Sequence, residues 1–242
     1  MPPRRRKRRH RLRRLFLLLL LALLAFVGYE TWTWPDIAVL ARRNPPTTAF
    51  IESYRARQRA AGRDDRVLRV FAPYGAIAPS VKRAILVAED INFFSHRGFD
   101  VGEIRNAVTK TLEEGEAPRG ASTITQQLAK NLWLSPSRNP LRKLEEAILT
   151  WQLERTLRKR RILELYLNLA EFGPGVYGVE AASRRYFAKP ASGLTDGEAA
   201  QLAASLPSPA TWHPGSSRAG YQRHVESIRR RMIKATFLAG QL

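Results

Sequence analysis

Hydrophobic positions fall into two regimes along the chain. Leu15 to Val27 is an unbroken run of thirteen apolar residues, whereas beyond about Val67 apolar residues recur at helical spacing among polar and charged ones. The second regime predicts a series of amphipathic helices. Ser80 is placed to cap one that carries Val81, Ala84, Ile85 and Ala88 on one face and brings Glu89 and Asp90 to its carboxyl end. Thr123 and Gln126 stand at capping-box spacing and open another helix through Leu128 to Asn131. Asn139 followed by Pro140 starts a long helix through Leu144, Ala147, Ile148 and Trp151, reaching about Leu157. A Leu-rich helix carries Tyr166 and Asn168, and Thr195 with Glu198 repeats the capping spacing before Pro207 stops that helix. Gly173-Pro174-Gly175 with Gly178 marks a tight turn, and Val67 to Phe71 is the only plausible extended run. The fold class predicted is mainly α.

The first regime sets the domain plan. Extended to Trp34, the apolar segment has twenty residues, and at ~1.5 Å per residue a helix of that length crosses a ~30 Å hydrocarbon layer. Tyr29, Trp32 and Trp34 stand where an interfacial aromatic belt belongs. Nine Arg and Lys residues and no acid lie between Arg4 and Arg14, so the positive-inside rule leaves that end in the cytoplasm. A cleavable signal peptide shares this composition, but Ala22 and Ala25 are three apart and bulky aromatics follow, so no cleavage pattern is present. The plan is a basic tail over 1–14, a transmembrane signal-anchor helix over 15–34, a stalk and lead-in over 35–66, and a domain over 67–242 outside the membrane.

Composition narrows the chemistry. With 242 residues, 44% hydrophobic, the chain can bury a full core, which excludes a collagen, a low-complexity scaffold and a multispanning transporter. It has no cysteine, so disulfides, zinc–thiolate sites and thiol nucleophiles are absent. The net charge of +20 calls for an anionic partner. Nucleic acid would fit the charge, but no nucleic-acid-binding signature accompanies it and that reading leaves the adjoining apolar run unexplained. An anionic membrane surface and a lipid diphosphate fit both.

Two stretches carry candidate chemistry. Glu89 and Asp90 close an apolar helix and are followed by Phe93, Phe94, His96 and Gly98; a carboxylate against apolar walls gains a raised pKa suited to proton transfer. Arg119 to Asn131 gathers Ser122, Thr123, Thr125, Gln126, Gln127, Lys130 and Asn131 around a Gly-led helix start, where free N–H groups make a ready anion site. The four histidines form no His/Asp cluster at ligand spacing, so no metal site is predicted and His96 reads as a structural hydrogen-bonding residue. Trp133 and Leu134 fit either lipid contact or buried core.

Four motifs in order, Glu89-Asp90-x-x-Phe93-x-x-His96-x-Gly98, Gly120 to Gln127, Arg142-Lys143-x-x-Glu146, and Ile162 to Asn168 with Phe172-Gly173 and Tyr177-Gly178, resemble the peptidoglycan glycosyltransferase family, and the single-domain monofunctional biosynthetic branch in particular. The resemblance covers roughly residues 67 to 215. It implies a lysozyme-like large lobe and a small membrane-facing lobe between the first and third motifs. It also implies polymerisation of lipid II into glycan strands at the outer face of the bacterial cytoplasmic membrane, with release of undecaprenyl diphosphate.

On that reading Glu89 is the general base and Glu146, 57 residues on, the second essential carboxylate. Lys130, Arg138, Arg142 and Lys143 hold the leaving diphosphate, with a divalent cation such as magnesium or manganese as an optional helper and no cofactor required. Asp90, Phe93, His96, Ser122, Thr123, Gln126, Gln127 and Asn131 complete the substrate-binding set. Helical spacing pairs Glu146 with Arg142 and Glu154 with Arg158. Partners are lipid II, the growing strand, anionic lipids, and proteins of cell-wall synthesis or division. A lytic muramidase-type enzyme and a non-enzymatic cell-wall scaffold are the alternatives; neither needs a cation cluster beside two carboxylates.

Overall fold

The computed structural model describes residues 32–114, 122–134 and 141–242, with isolated residues between 13 and 28. Two units are present, Met1–Asp36 and Ile37–Leu242. In the first, the described residues from Arg13 to Thr33 are helical, and Phe16, Leu17, Leu18, Leu20, Leu21 and Leu24 are exposed. The expected spanning helix, 15–34, includes many residues outside the described set, as does most of the basic tail. Among the described residues no helix is long and apolar enough to cross a membrane.

The second unit is built from nine described helices: α1 (Ala49–Ala60), α2 (Pro79–Glu89), α3 (Val101–Glu114), α4 (Ile124–Trp133), α5 (Leu141–Thr156), α6 (Lys159–Leu169), α7 (Val179–Phe187), α8 (Asp196–Ser205) and α9 (Ala219–Lys234). Local chemistry sets several starts. Thr123 and Thr195 form complete capping boxes with Gln126 and Glu198, as their spacing predicts. Ser80 does not cap α2. Pro79, with its φ already helical, starts the helix two residues earlier with Ala78 as N-cap, and the Ser80 hydroxyl donates to Leu194 O at 2.7 Å, tying α2 to the segment before α8. The predicted Asn139–Pro140 start lies outside the described residues. The long helix it was to open ends at Thr156, and α6 follows almost at once.

A small sheet of order β1-β3-β2 joins Leu68–Arg69 (β1), Glu171–Gly173 (β2) and Val176–Tyr177 (β3). β1 runs parallel to β3, and β2 pairs antiparallel to it, so the stretch read as a turn is a turn with a short strand on each side. Gly178 sits at φ +85°, and a Cβ there would lie 2.7 Å from Asn168 O, so only glycine lets the strand pass so near α6.

The core gathers α2 against α8 and α9, and α4 against α5 and α6. Val81, Ala84 and Ile85 are fully buried, as the α2 stripe predicts. Asn168, also fully buried, accepts from Ala72 N–H at 2.7 Å and donates to Ala72 O and Glu164 O, pinning α6 to the segment after β1. Two helices keep apolar faces outside this core. Val101, Ile104 and Val108 on α3, and Leu141, Leu144, Ile148 and Trp151 on α5, are exposed at helical spacing.

Candidate active site

Glu89 is the last residue of α2, and its carboxylate accepts from Gln127 Nε2 of α4 at 2.6 Å. Gln127 Oε1 in turn accepts from the Tyr166 hydroxyl of α6 at 2.9 Å. Three helices therefore fix one carboxylate. Burial raises the Glu89 pKa, opposed by the Gln127 hydrogen bond and the Lys130 charge. Two cavities adjoin this pair, one lined by Glu89 and the other by Gln127. The first holds Glu89, Asp90, Asn92, Asp100, Glu103, Ser122, Thr123 and Arg231. The second holds Gln127, Lys130, Asn131, Tyr166, Glu171 and Tyr177 together with Phe50.

Lys130 links the base to the cations. Burial lowers its pKa most, and the charges of Glu146, Arg142, Lys143 and Glu89 act on it in that order. Base, second carboxylate and cations thus share one neighbourhood. Glu146 is buried and pairs with Lys143, three residues before it, in place of the predicted Arg142. Arg142 is left with a buried Nε that has no hydrogen-bond partner among the described residues, a donor available to an anion. Arg138 lies outside the described residues.

Other predicted residues turn inward. Asp90 Oδ2 accepts from Ile124 N–H at 3.0 Å, at the start of α4, and Oδ1 receives His96 Nε2 at 2.9 Å. Gly98 N–H donates to His96 Nδ1, which leaves the proton on Nε2. Thr123 caps α4 and its hydroxyl also donates to Gly98 O at 2.7 Å, while Gln126 closes the capping box. The Ile124 and Gln126 amides, read from sequence as open to an anion, are thereby taken by Asp90 and Thr123. Phe93 is fully buried with Lys159 Nζ 4.3 Å above its ring. Ser122 is exposed at the first cavity, and Asn131 lines the second. Trp133 is half-buried and Leu134 belongs to the core.

The fold does draw together a His/carboxylate cluster that sequence spacing concealed: ligand atoms of Asp90, His96 and Asp100 lie within 4.8 Å of one another. Both carboxylates are hydrogen-bonded within the protein. Asp90 and His96 bond as above, and Asp100 accepts from Asn92 Nδ2 at 2.9 Å and Glu103 N–H at 3.0 Å. Each carboxylate oxygen keeps a further lone pair beyond these hydrogen bonds. Glu154 departs from its predicted partner as well. Because α5 ends at Thr156, Arg158 becomes the N-cap of α6, and Glu154 pairs with Lys159 at 2.8 Å and accepts from the Thr125 hydroxyl.

The family model described as Transglycosylase matches residues 52–234. The chain belongs to the transglycosylase family. Its curated relatives include proteins named biosynthetic peptidoglycan transglycosylase. One from Thiobacillus denitrificans is 45% identical over 204 residues, covering 84% of this chain and 88% of the relative. Those from Laribacter hongkongensis and Chromobacterium violaceum are 44% and 43% identical, each covering 86% of this chain and 91% of the relative.

Within this transglycosylase, sequence reasoning missed one cation. Arg231 of α9 reaches the first cavity from about 140 residues away, and its charge bears on Glu89. In the sequence it is one of three consecutive arginines, Arg229 to Arg231, and nothing local separates it from its neighbours. The helical period offered the one available signal: the buried face of Tyr221, Val225, Ile228 and Met232 places Arg231 at that face's edge.

Proposed function

We propose that this chain is a peptidoglycan glycosyltransferase that polymerises lipid II into glycan strands and releases undecaprenyl diphosphate. The supporting observation is that Lys130, which lines the second cavity, lies in the combined field of Glu89, Glu146, Arg142 and Lys143, so a proton acceptor and a set of cations lie near one another. Glu89 takes the proton from the acceptor 4-hydroxyl as that oxygen attacks C1 of the donor sugar. The C1–O bond to the diphosphate breaks, the anomeric centre inverts, and the bonding pair leaves with the diphosphate. That leaving group is already a stable anion, so positive charge from Lys130, Arg142 and Lys143 assists it without general-acid protonation. No step is assigned to a divalent cation.

The raised Glu89 pKa makes it a stronger base than a solvated carboxylate, and Gln127 aims it. Glu146 holds Lys143 and favours the charged form of Lys130. Asp90, Phe93, His96, Thr123 and Gln126 position the base and α4, and Ser122 and Asn131 contact substrate from the two cavity walls.

Residues 15–34 anchor the protein in the cytoplasmic membrane, with the basic tail inside and the catalytic domain outside. The exposed side chains of Phe16, Leu17, Leu18, Leu20, Leu21 and Leu24 support this. The exposed apolar faces of α3 and α5 support a small lobe resting on the same bilayer, beside a lysozyme-like large lobe.

Incubating the purified protein with lipid II in detergent tests this reading. Polymer that forms with the wild type and disappears with Glu89→Gln is the expected outcome. Release of soluble fragments from preformed glycan would make the protein a lytic enzyme, and inertness in both assays would make it a scaffold.

A further inference from the structure

The second cavity contains a polar pair that the proposed chemistry does not use. Glu171 and Tyr177 stand opposite one another across β2 and β3, and both line this cavity together with Lys130, Asn131 and Tyr166. Tyr177 is 1% exposed, yet its hydroxyl has no hydrogen-bond partner among the described residues. A buried orphan hydroxyl is costly unless something pairs with it in the working state. The Tyr54 ring packs edge-on against Tyr177 with centroids 6.2 Å apart and restrains its position. Glu171 accepts a hydrogen bond from the Gly175 backbone, and burial raises its carboxyl pKa.

We propose that Tyr177 and Glu171 form a saccharide-reading end of this cavity, binding a neutral polar group, a hydroxyl or an acetamido group, of the sugar whose diphosphate lies against Lys130. Groups of this class both donate and accept, which matches a phenol that does both beside a carboxylate that accepts. A second anion would instead meet the Glu171 carboxyl. The tight β2–β3 turn holds the pair rigidly opposite α4, and Gly175 at its tip is closed over by Tyr54, whose hydroxyl would lie 2.7 Å from any Cβ there. The inference rests on the glycosyltransferase reading for the identity of the ligand, while the orphan hydroxyl and the cavity stand apart from it.

The test uses the full chain in detergent with fluorescently labelled lipid II, measuring binding by anisotropy, polymerisation kinetics, and melting temperature for wild type, Tyr177→Phe, Glu171→Gln and the double variant. Each single variant is expected to weaken binding and raise KM about 3- to 10-fold, with kcat within about twofold. The double variant should fall short of the product of the two effects, because both side chains hold one group. Tyr177→Phe removes a hydroxyl that no protein group satisfies, so its melting temperature should stay level or rise. Wild-type affinity in both single variants would overturn the inference, as would a Tyr177→Phe protein whose lost affinity comes with a lower melting temperature. If the wild type binds lipid II without polymerising it and Tyr177→Phe still binds less, the proposed activity fails and the binding pair stands.

Discussion

At the scale of single residues, two pKa values of the proposed site move toward each other. Glu89 is raised from 4.5, chiefly by burial, and Lys130 is lowered from 10.5 for the same reason. The base must be ionised and the lysine charged, so kcat/KM should follow a bell narrower than those two ordinary values allow. Its acid limb tracks Glu89 and its alkaline limb Lys130. Lys130→Arg should carry the alkaline limb upward and leave the acid limb in place, because a guanidinium stays charged beyond pH 12; a pH series on both proteins checks this. Glu89→Gln should lower turnover by about 10²- to 10⁴-fold. It should also raise the melting temperature at neutral pH. A carboxyl whose folded pKa lies above its unfolded value binds its proton more tightly when folded. Its stability contribution is therefore full below about pH 4.5 and is lost as pH rises through the folded pKa. The gain from Gln should vanish in acid.

At the scale of elements, two capping boxes with the same local chemistry differ in what they hold. Thr195 caps α8 on an exposed surface, whereas Thr123 caps α4 and also reaches Gly98 O in the buried site. Thr195→Ala should cost about 1 kcal/mol and leave kcat unchanged. Thr123→Ala should cost more in urea denaturation and also reduce kcat, since α4 delivers Gln127 and Lys130. Asn168→Ala should cost about 2–5 kcal/mol, because it leaves the Ala72 N–H and carbonyl unpaired. This should appear as a lower urea midpoint at an unchanged slope. The capping boxes and the apolar stripe of α2 were legible in the sequence because each depends on residues within one or two turns. α3 was not foreseen. Its apolar residues face outward, so its pattern does not report packing against the core.

At the scale of the whole molecule, the exposed apolar faces of α3 and α5 predict that the domain touches a bilayer in its own right. Leu144→Glu together with Trp151→Glu should weaken sedimentation of residues 37–242 with anionic vesicles while leaving the melting temperature within a few degrees, because both side chains already lie outside the core. The sequence by itself determined the helical class, the two capping boxes, the family and the candidate residue types, since periodicity, capping boxes and ordered motifs are written in neighbouring residues. Tertiary structure decided which groups meet. It gave Lys159 to Glu154, filled the α4 start with Asp90, brought Arg231 to Glu89, and set Glu171 beside a Tyr177 without a hydrogen-bond partner among the described residues. Those pairings span gaps of up to about 140 residues, and they follow from helix ends and interhelical packing, which side-chain spacing along one helix does not encode.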